Sequence, residues 1–356
     1  MNKHLSYILP IILVAALYFG SQYIFEHYLY LIDITLPVAA VILIGLHINI
    51  VRFITELNAK LLIRKQFGTY LSPKMVKRLE DNPELLKLGG DSKQLSILFG
   101  DVRGFTTISE HFGQDVQGLT KIMNRLMTVI TQPVLDNEGM VDKYIGDCIM
   151  SIWNAPLDDK EHAIHAVKSA MEILHDLEKF NKEIESEGIP PFGMGLGINT
   201  DTVVVGNMGS SQRFDYTCLG DGVNLASRLE GQSKPYHVAM VIGPKTNEYV
   251  KTDFFTLPLD CLAVKGKKEG VDIFTVLNTD GADKPKWNQA KINHVTMMNA
   301  YKAQRFTIAK SMSKDLIGSF NGQMDHYYEM WIERCDDYIK SPPGKDWDGV
   351  FRTNTK

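Results

Sequence analysis

Leu95-Ser-Ile-Leu-Phe-Gly-Asp101-Val-Arg-Gly-Phe105-Thr-Thr107 opens on an apolar run that reads as a buried strand. The run ends at Asp101, and Gly104 begins a turn. Residues 105–111 read as a helix start, with Thr106, Thr107 and Ser109 available to cap its unpaired N–H groups. A carboxylate at a strand end, beside exposed helix-start amides, suits a metal-bound polyphosphate. The same succession is common as plain structure, so its meaning depends on what accompanies it.

A second stretch supplies the companion. Gly139-Met-Val-Asp-Lys143-Tyr-Ile-Gly146-Asp147-Cys-Ile-Met-Ser-Ile-Trp153 reads as two short strands joined at Ile145-Gly146-Asp147. Another carboxylate thereby stands at a tight hairpin tip. Two carboxylates from separate strands can hold two divalent ions in one site.

Four motifs follow one another in order: FGDVRGFT, DKYIGD, GNMGSSQRFDYTCLGDGVNLASRLEG and VKGK, spread over residues 90–278. In these motifs the chain resembles the class III nucleotidyl cyclase catalytic domains, over about half its length. The resemblance implies an α+β fold with a ferredoxin-like βαββαβ core. It also implies a reaction: the ribose 3′-hydroxyl attacks the α-phosphate of the same nucleotide, pyrophosphate leaves, and a 3′,5′-cyclic nucleotide forms. Asp101 and Asp147, with the carbonyl of Val102, are the expected ligands of two Mg2+ or Mn2+ ions per site. Backbone amides of Gly104, Phe105 and Thr106, and the side chain of Lys265, are expected on the phosphates, with Gln212 and Arg213 nearby.

Asn224 and Arg228 lie four apart on a helix expected over 222–232, and so share one face. A surface polar pair would show the same spacing. Beside the other motifs, the resemblance makes Asn224 the residue that orients the ribose. Arg228 then binds charge building on the α-phosphate, for which a planar guanidinium suits phosphate oxygens better than an ammonium. In the family, Lys with Asp or Thr reads adenine, and Glu with Cys reads guanine. This chain has Lys143 and Thr217. Lysine can donate to adenine N1, whereas guanine N1 carries a hydrogen, and the threonine oxygen can accept from the adenine amino group. Cys218 is adjacent, and a shift of one residue would change the reading; counting back from Asn224 supports Thr217. The Lys–Thr pair is similar to that of bacterial membrane-bound adenylate cyclases. Family sites are shared: Asp101 and Asp147 come from one subunit, and Lys143, Thr217, Asn224, Arg228 and Lys265 from the other. This chain has both sets, so a homodimer with ATP as substrate is expected. The rival readings are a guanylate cyclase and a catalytically silent, membrane-tethered nucleotide-binding module.

Length and composition bound the rest. The chain has 356 residues and a formal net charge of −4, which implies no broad nucleic-acid-binding surface. Its four cysteines are scattered without metal-type spacing, as in a reducing compartment. Residues 5–25 and 34–51 carry no charged side chain, and each run is close to the ~20 residues a spanning helix needs. A cleaved signal peptide is the alternative for the first run; its length and the second run after it argue against that. Arg52, Lys60, Arg64 and Lys65 follow the second run, so the remainder is expected in the cytoplasm, below a bacterial inner membrane crossed twice. Residues 54–67 read as an amphipathic helix, either a signal-transmitting dimer helix or a spacer.

The expected division is a transmembrane hairpin over 1–52, a juxtamembrane helix and linker over 53–90, the catalytic domain over 91–280 and a C-terminal helical extension over 281–356. Further helices are expected over 75–88, 115–137, 160–187, 287–314 and 321–339. Strands are expected over 192–199, 202–206, 238–242, 254–259 and 271–276. Gly193, Gly195 and Gly197 read as close backbone packing in the sheet. His162 and His165, three apart, read as a solvated or capped pair rather than metal ligands.

Overall fold

The computed structural model describes residues 5–68, 71–81, 90–210, 214–263, 270–344 and 347–350. The chain divides into two compact units, residues 1–69 with 76–84, and residues 70–75 with 85–356. In the first, α1 (Leu5–Tyr28) and α2 (Thr35–Phe67) form a hairpin, with Gly45 against the ring of Pro10. The second apolar run and the expected juxtamembrane helix are therefore one helix of 33 residues. Segments Ile8–Tyr28 and Thr35–Arg64 are long and apolar enough to cross a membrane. Their apolar side chains point outward, as with Ile11 at 69% and Leu36 at 80% exposed, instead of filling a core. A short helix, α3 (Pro73–Asp81), follows. The rest of the helix expected over 75–88 lies outside the described residues.

The second unit is built on β1 (Asp91–Arg103), a 13-residue strand whose central run from Leu95 to Gly100 is buried. After it come α4 (Phe105–Phe112), α5 (Val116–Asp136), β2 (Met140–Ile145), β3 (Cys148–Trp153), α6 (His162–Ser186) and β4 (Gly193–Gly209). These strands lie in the order β2-β3-β1-β4, with β1 antiparallel to both β3 and β4. That is the βαββαβ arrangement expected. Helices α5 and α6 bury Ile122, Leu126, Ile130, Ile173 and Leu177 with the sheet residues Leu98, Ile149 and Ile198 in one apolar cluster.

Beyond β4 the chain adds β5 (Phe214–Leu219), α7 (Asp221–Gln232), β6 (Met240–Ile242), α8 (Pro244–Val250), β7 (Thr256–Ala263) and β8 (Gly270–Val276). The sheet continues as β4-β6-β8-β7, with β5 on the far half of β4. Three expectations are corrected here. The two strands expected over 192–199 and 202–206 are one strand, because β1 pairs with β4 without interruption from Asp91 to Arg103. Strand β5 and helix α8 were not expected. His162 is not solvated: its Nδ1 lies 2.8 Å from Ser96 Oγ in a buried network that also holds Thr200. His165 is capped as expected, by Asp159 at 2.8 Å.

The C-terminal helices are α9 (Lys284–Lys302), α10 (Phe306–Leu316) and α11 (Asp325–Lys340), with a 3-10 turn at Ser319–Gly322. The helix expected over 287–314 is thus two, broken where Gln304 takes a φ of 58°. These helices share one apolar core with α7, β7 and β8, including Leu229, Leu259, Trp287, Tyr301, Phe320 and Trp331. His294 of α9 lies within it, fully buried, with Nε2 2.7 Å from the Pro258 carbonyl and Nδ1 2.9 Å from the Tyr328 hydroxyl. Nε2–H donates to the carbonyl, so Nδ1 accepts from the tyrosine.

Burial pushes the His294 pKa down to about 4, from 6.5. The unfolded chain then binds more protons than the folded one between those values, so stability is lost as pH falls through that window. The expected loss between pH 7.5 and pH 5 is about 2 kcal/mol from this group. Urea unfolding of the detergent-solubilised full chain, wild type against His294→Phe, checks it: the variant should lack this part of the pH slope.

Candidate active site

Strand β1 brings Asp101 opposite Cys148, the residue after Asp147, in the last pair of the β1–β3 ladder. The pairing with β4 continues two residues further, so Asp101 stands before the strand end rather than at it. Asp147 sits at the two-residue tip between Ile145 and Cys148, where Gly146 adopts a φ of 67° that L side chains rarely take. Burial and then the charge of Asp147 raise the Asp101 pKa, opposed by Arg103. Asp101 therefore lies in the field of Asp147, and Asp147 lines a cavity of about 470 Å3 with Phe105, Met123 and Tyr144 among others. Helix α4 begins there with Gly104 as N-cap, at a φ of 86° and with no side-chain cap. The expected threonine and serine caps do not form at that position, which leaves the first-turn amides to other acceptors.

Among the described residues no group of three His, Cys, Asp or Glu is gathered as a complete metal cage. Two carboxylates at adjoining positions, with the Asp101 pKa raised despite Arg103, still fit Mg2+ or Mn2+. A hard cation of that kind is usually held by one or two carboxylates, with substrate phosphates and water completing its shell. Val102 follows Asp101, one residue past the last β3 pair, which is compatible with its expected carbonyl role.

Helix α7 carries Asn224 and Arg228 on its exposed face, while Gly222, Leu225, Ala226 and Leu229 face inward. Its seat on β4 depends on Gly197: a Cβ there would lie 2.1 Å from the Glu230 backbone nitrogen and 2.5 Å from the Ala226 carbonyl oxygen. The glycine pattern thus serves helix-on-sheet contact, a more specific purpose than packing within the sheet.

Glu230, also on α7, was not foreseen. It is half-buried, and burial followed by the charge of Asp101 pushes its pKa up to about 7, against the pull of Arg103. Arg103 donates to Ser233 Oγ at 2.7 Å and to the Val238 carbonyl at 3.2 Å. An ionisable carboxyl on α7 thus stands within the field of Asp101. Nothing in the sequence distinguished Glu230 from a solvated helix residue.

Lys143 and Thr217 come from strands that are not neighbours in the sheet, yet one residue touches both. Thr217 Oγ1 donates to Asp142 Oδ2 at 2.8 Å, and Lys143 Nζ lies 3.6 Å from the same oxygen. Thr217 is 7% exposed and Cys218 is 1% exposed, with burial pushing the Cys218 thiol up to about 12. Lys265, Gln212 and Arg213 lie outside the described residues.

Residues 90–278, more than half of the chain, match the sequence model of the family described as "Adenylate and Guanylate cyclase catalytic domain". The chain is 30% identical over 211 residues to "Adenylate cyclase 1" of Rhizobium meliloti, covering 59% of this chain and 31% of that protein. It is also 30% identical to an adenylate cyclase of Anabaena cylindrica, covering 60% of this chain and 41% of that one. It therefore spans well under half the length of these relatives. Among solved structures, the adenylyl cyclase CyaB from P. aeruginosa superposes with a TM-score of 0.50 at 32% identity, over 54% of this chain and 97% of that one.

Proposed function

Since the chain belongs to the adenylate and guanylate cyclase catalytic domain family, we propose that it is a membrane-anchored adenylate cyclase, converting ATP to 3′,5′-cyclic AMP and pyrophosphate at sites shared between two copies. The observation that carries a catalytic reading over a silent one is Asp101 within the field of Asp147. Burial and the charge of Asp147 both disfavour ionised Asp101, with Arg103 opposing them in part, and a bound cation would relieve that cost. Asp101 and Asp147 would hold two divalent ions, which when bound would lower the pKa of the ribose hydroxyl and neutralise the leaving pyrophosphate. The chain's own residues do the positioning. First-turn amides of α4 near Phe105 and Thr106 donate to phosphate oxygens, Asn224 orients the ribose, and Arg228 meets the charge that builds on the α-phosphate. Lys143 and Thr217 favour adenine.

Assembly into a homodimer has support from the surface. Val204 and Leu219 are partners across the β4–β5 ladder and are 44% and 59% exposed, with Ile145 at 53% on the hairpin. Apolar side chains of that size, exposed on a sheet, suit a second protomer. The membrane reading rests on two long apolar helices with outward-facing side chains and on the basic residues Arg52, Lys60, Arg64 and Lys65 in the C-terminal part of the second.

The test is cyclic-nucleotide production by the detergent-solubilised full chain with Mn2+ and either ATP or GTP. Wild type should form cyclic AMP, and Asp147→Ala should lower turnover about a hundredfold or more. Undiminished turnover in Asp147→Ala removes the carboxylates from the chemistry, and preference for GTP removes the adenine reading.

A further inference from the structure

Asp142 interrupts the regular geometry of its hairpin. The β2–β3 register runs Met140↔Ile152, Val141↔Ser151 and then Lys143↔Met150, so residue 142 is the extra residue of a β-bulge. Bulges re-aim side chains that strict alternation would send to the other face. Here the bulge turns a carboxylate inward. Asp142 is 3% exposed as a residue, and its side chain is wholly buried. One oxygen, Oδ2, accepts the Thr217 hydroxyl and faces Lys143 Nζ. The other, Oδ1, is buried with no hydrogen-bond partner among the described residues.

A buried carboxylate with one unsatisfied oxygen is costly, and residues of that kind call for an explanation. Burial raises the Asp142 pKa, while the Thr217 hydrogen bond and the Lys143 charge act to keep it ionised. An ionised carboxylate only accepts hydrogen bonds. A threonine hydroxyl has one proton and two lone pairs, so a proton given to Asp142 leaves only lone pairs for anything else that approaches.

We propose that Asp142 sets the nucleotide preference of this enzyme by committing the Thr217 proton and anchoring Lys143. A bare threonine can read either a donor or an acceptor. A threonine held by Asp142 can only accept. It therefore suits the amino group at C6 of adenine and opposes the carbonyl oxygen at C6 of guanine. Lys143, tethered through the same oxygen, presents its N–H groups to the unprotonated N1 of adenine. Asp142 touches no base itself: it is a positioning residue that acts through its two partners. The inference rests on the adenylate cyclase reading above.

The experiment compares kcat/KM for ATP and for GTP, both with Mn2+, in the full chain and in Asp142→Ala, Thr217→Val and the double variant. The wild type is measured first. Preference for GTP, or no cyclic product, overturns the adenylate reading and the inference with it. With ATP preferred, Asp142→Ala should lower the ATP-to-GTP ratio about tenfold or more, the usual penalty for a mismatched buried donor or acceptor. The double variant should change the ratio by less than the product of the two single effects, since both residues share one hydroxyl, and any change beyond that of Thr217→Val reports the Lys143 tether. A merely structural Asp142 lowers both substrates in parallel and leaves the ratio fixed, which overturns the inference alone. Should Asp142→Ala fail to fold, Thr217→Val decides: an unchanged ratio there overturns it equally.

Discussion

Arg228→Ala is expected to cut the maximal rate of cyclic AMP formation by about two to three orders of magnitude, with little change in KM. The guanidinium stands on the exposed face of α7, while the helix is held by Leu225, Ala226 and Leu229 beneath it. Removing the side chain should leave that seat intact, so thermal stability should stay near the wild-type value. On the proposed role the loss falls on kcat, because the charge Arg228 would bind develops only as the α-phosphate is attacked. Arg228→Lys should recover part of the rate, since an ammonium supplies charge without the planar fork. On the proposed reading, in which each site is shared between two copies, the test has a sharper form. Arg228→Ala mixed with Asp147→Ala should regain activity, because one of the two sites in a heterodimer is then intact. Verified heterodimers without recovery would place each site within a single chain.

Asp260→Ala should destabilise the cyclase unit by about 3–5 kcal/mol. Asp260 is 2% exposed on β7, where it accepts from the Tyr236 hydroxyl at 2.6 Å and from Arg334 Nη1 on α11. Arg334 also lies over the rings of Trp331 and Tyr236, 4.8 and 5.5 Å from their centroids. Deleting the carboxylate strands a cation inside the core that joins the C-terminal helices to β7. At about 2–4 °C per kcal/mol for a unit of this size, Tm should fall by roughly 10 °C. Replacing both partners, as Asp260→Ala with Arg334→Met, should recover much of that loss, because no unpaired charge then remains. Calorimetry on the solubilised chain decides it, and a loss below about 1 kcal/mol for the single variant would show that the pair is not needed.

The parts of this molecule that follow simple periodicity were legible in its sequence. The apolar run before Asp101 and the Gly-Asp tip after Ile145 each encode a local rule; the tip forms as read, and the strand forms but runs two residues past Asp101. The α9–α10 break was illegible because Ala303-Gln304-Arg305 contains neither Gly nor Pro and the apolar spacing continues across it. Strand β5 escaped because its burial does not alternate: Thr217 and Cys218 are adjacent and both buried. At the site, the residues that carry motif chemistry could be named, but the ones that support them could not. Glu230 looks like any polar residue on a helix. Asp142 precedes Lys143 on a strand and by period two should face away from it; only the bulge, a tertiary feature, directs both to one place.

Helix α2 has a mechanical consequence. Thirty-three residues make a rod of about 50 Å, against a bilayer interior of about 30 Å. On the membrane-anchored reading, some four turns project past the lipid as the same uninterrupted helix. From Leu46 to Phe67 there is no glycine or proline, the usual sources of a kink. On that reading, a piston stroke or a twist imposed at one end of that stretch would meet no joint in which to dissipate, as in a drive shaft.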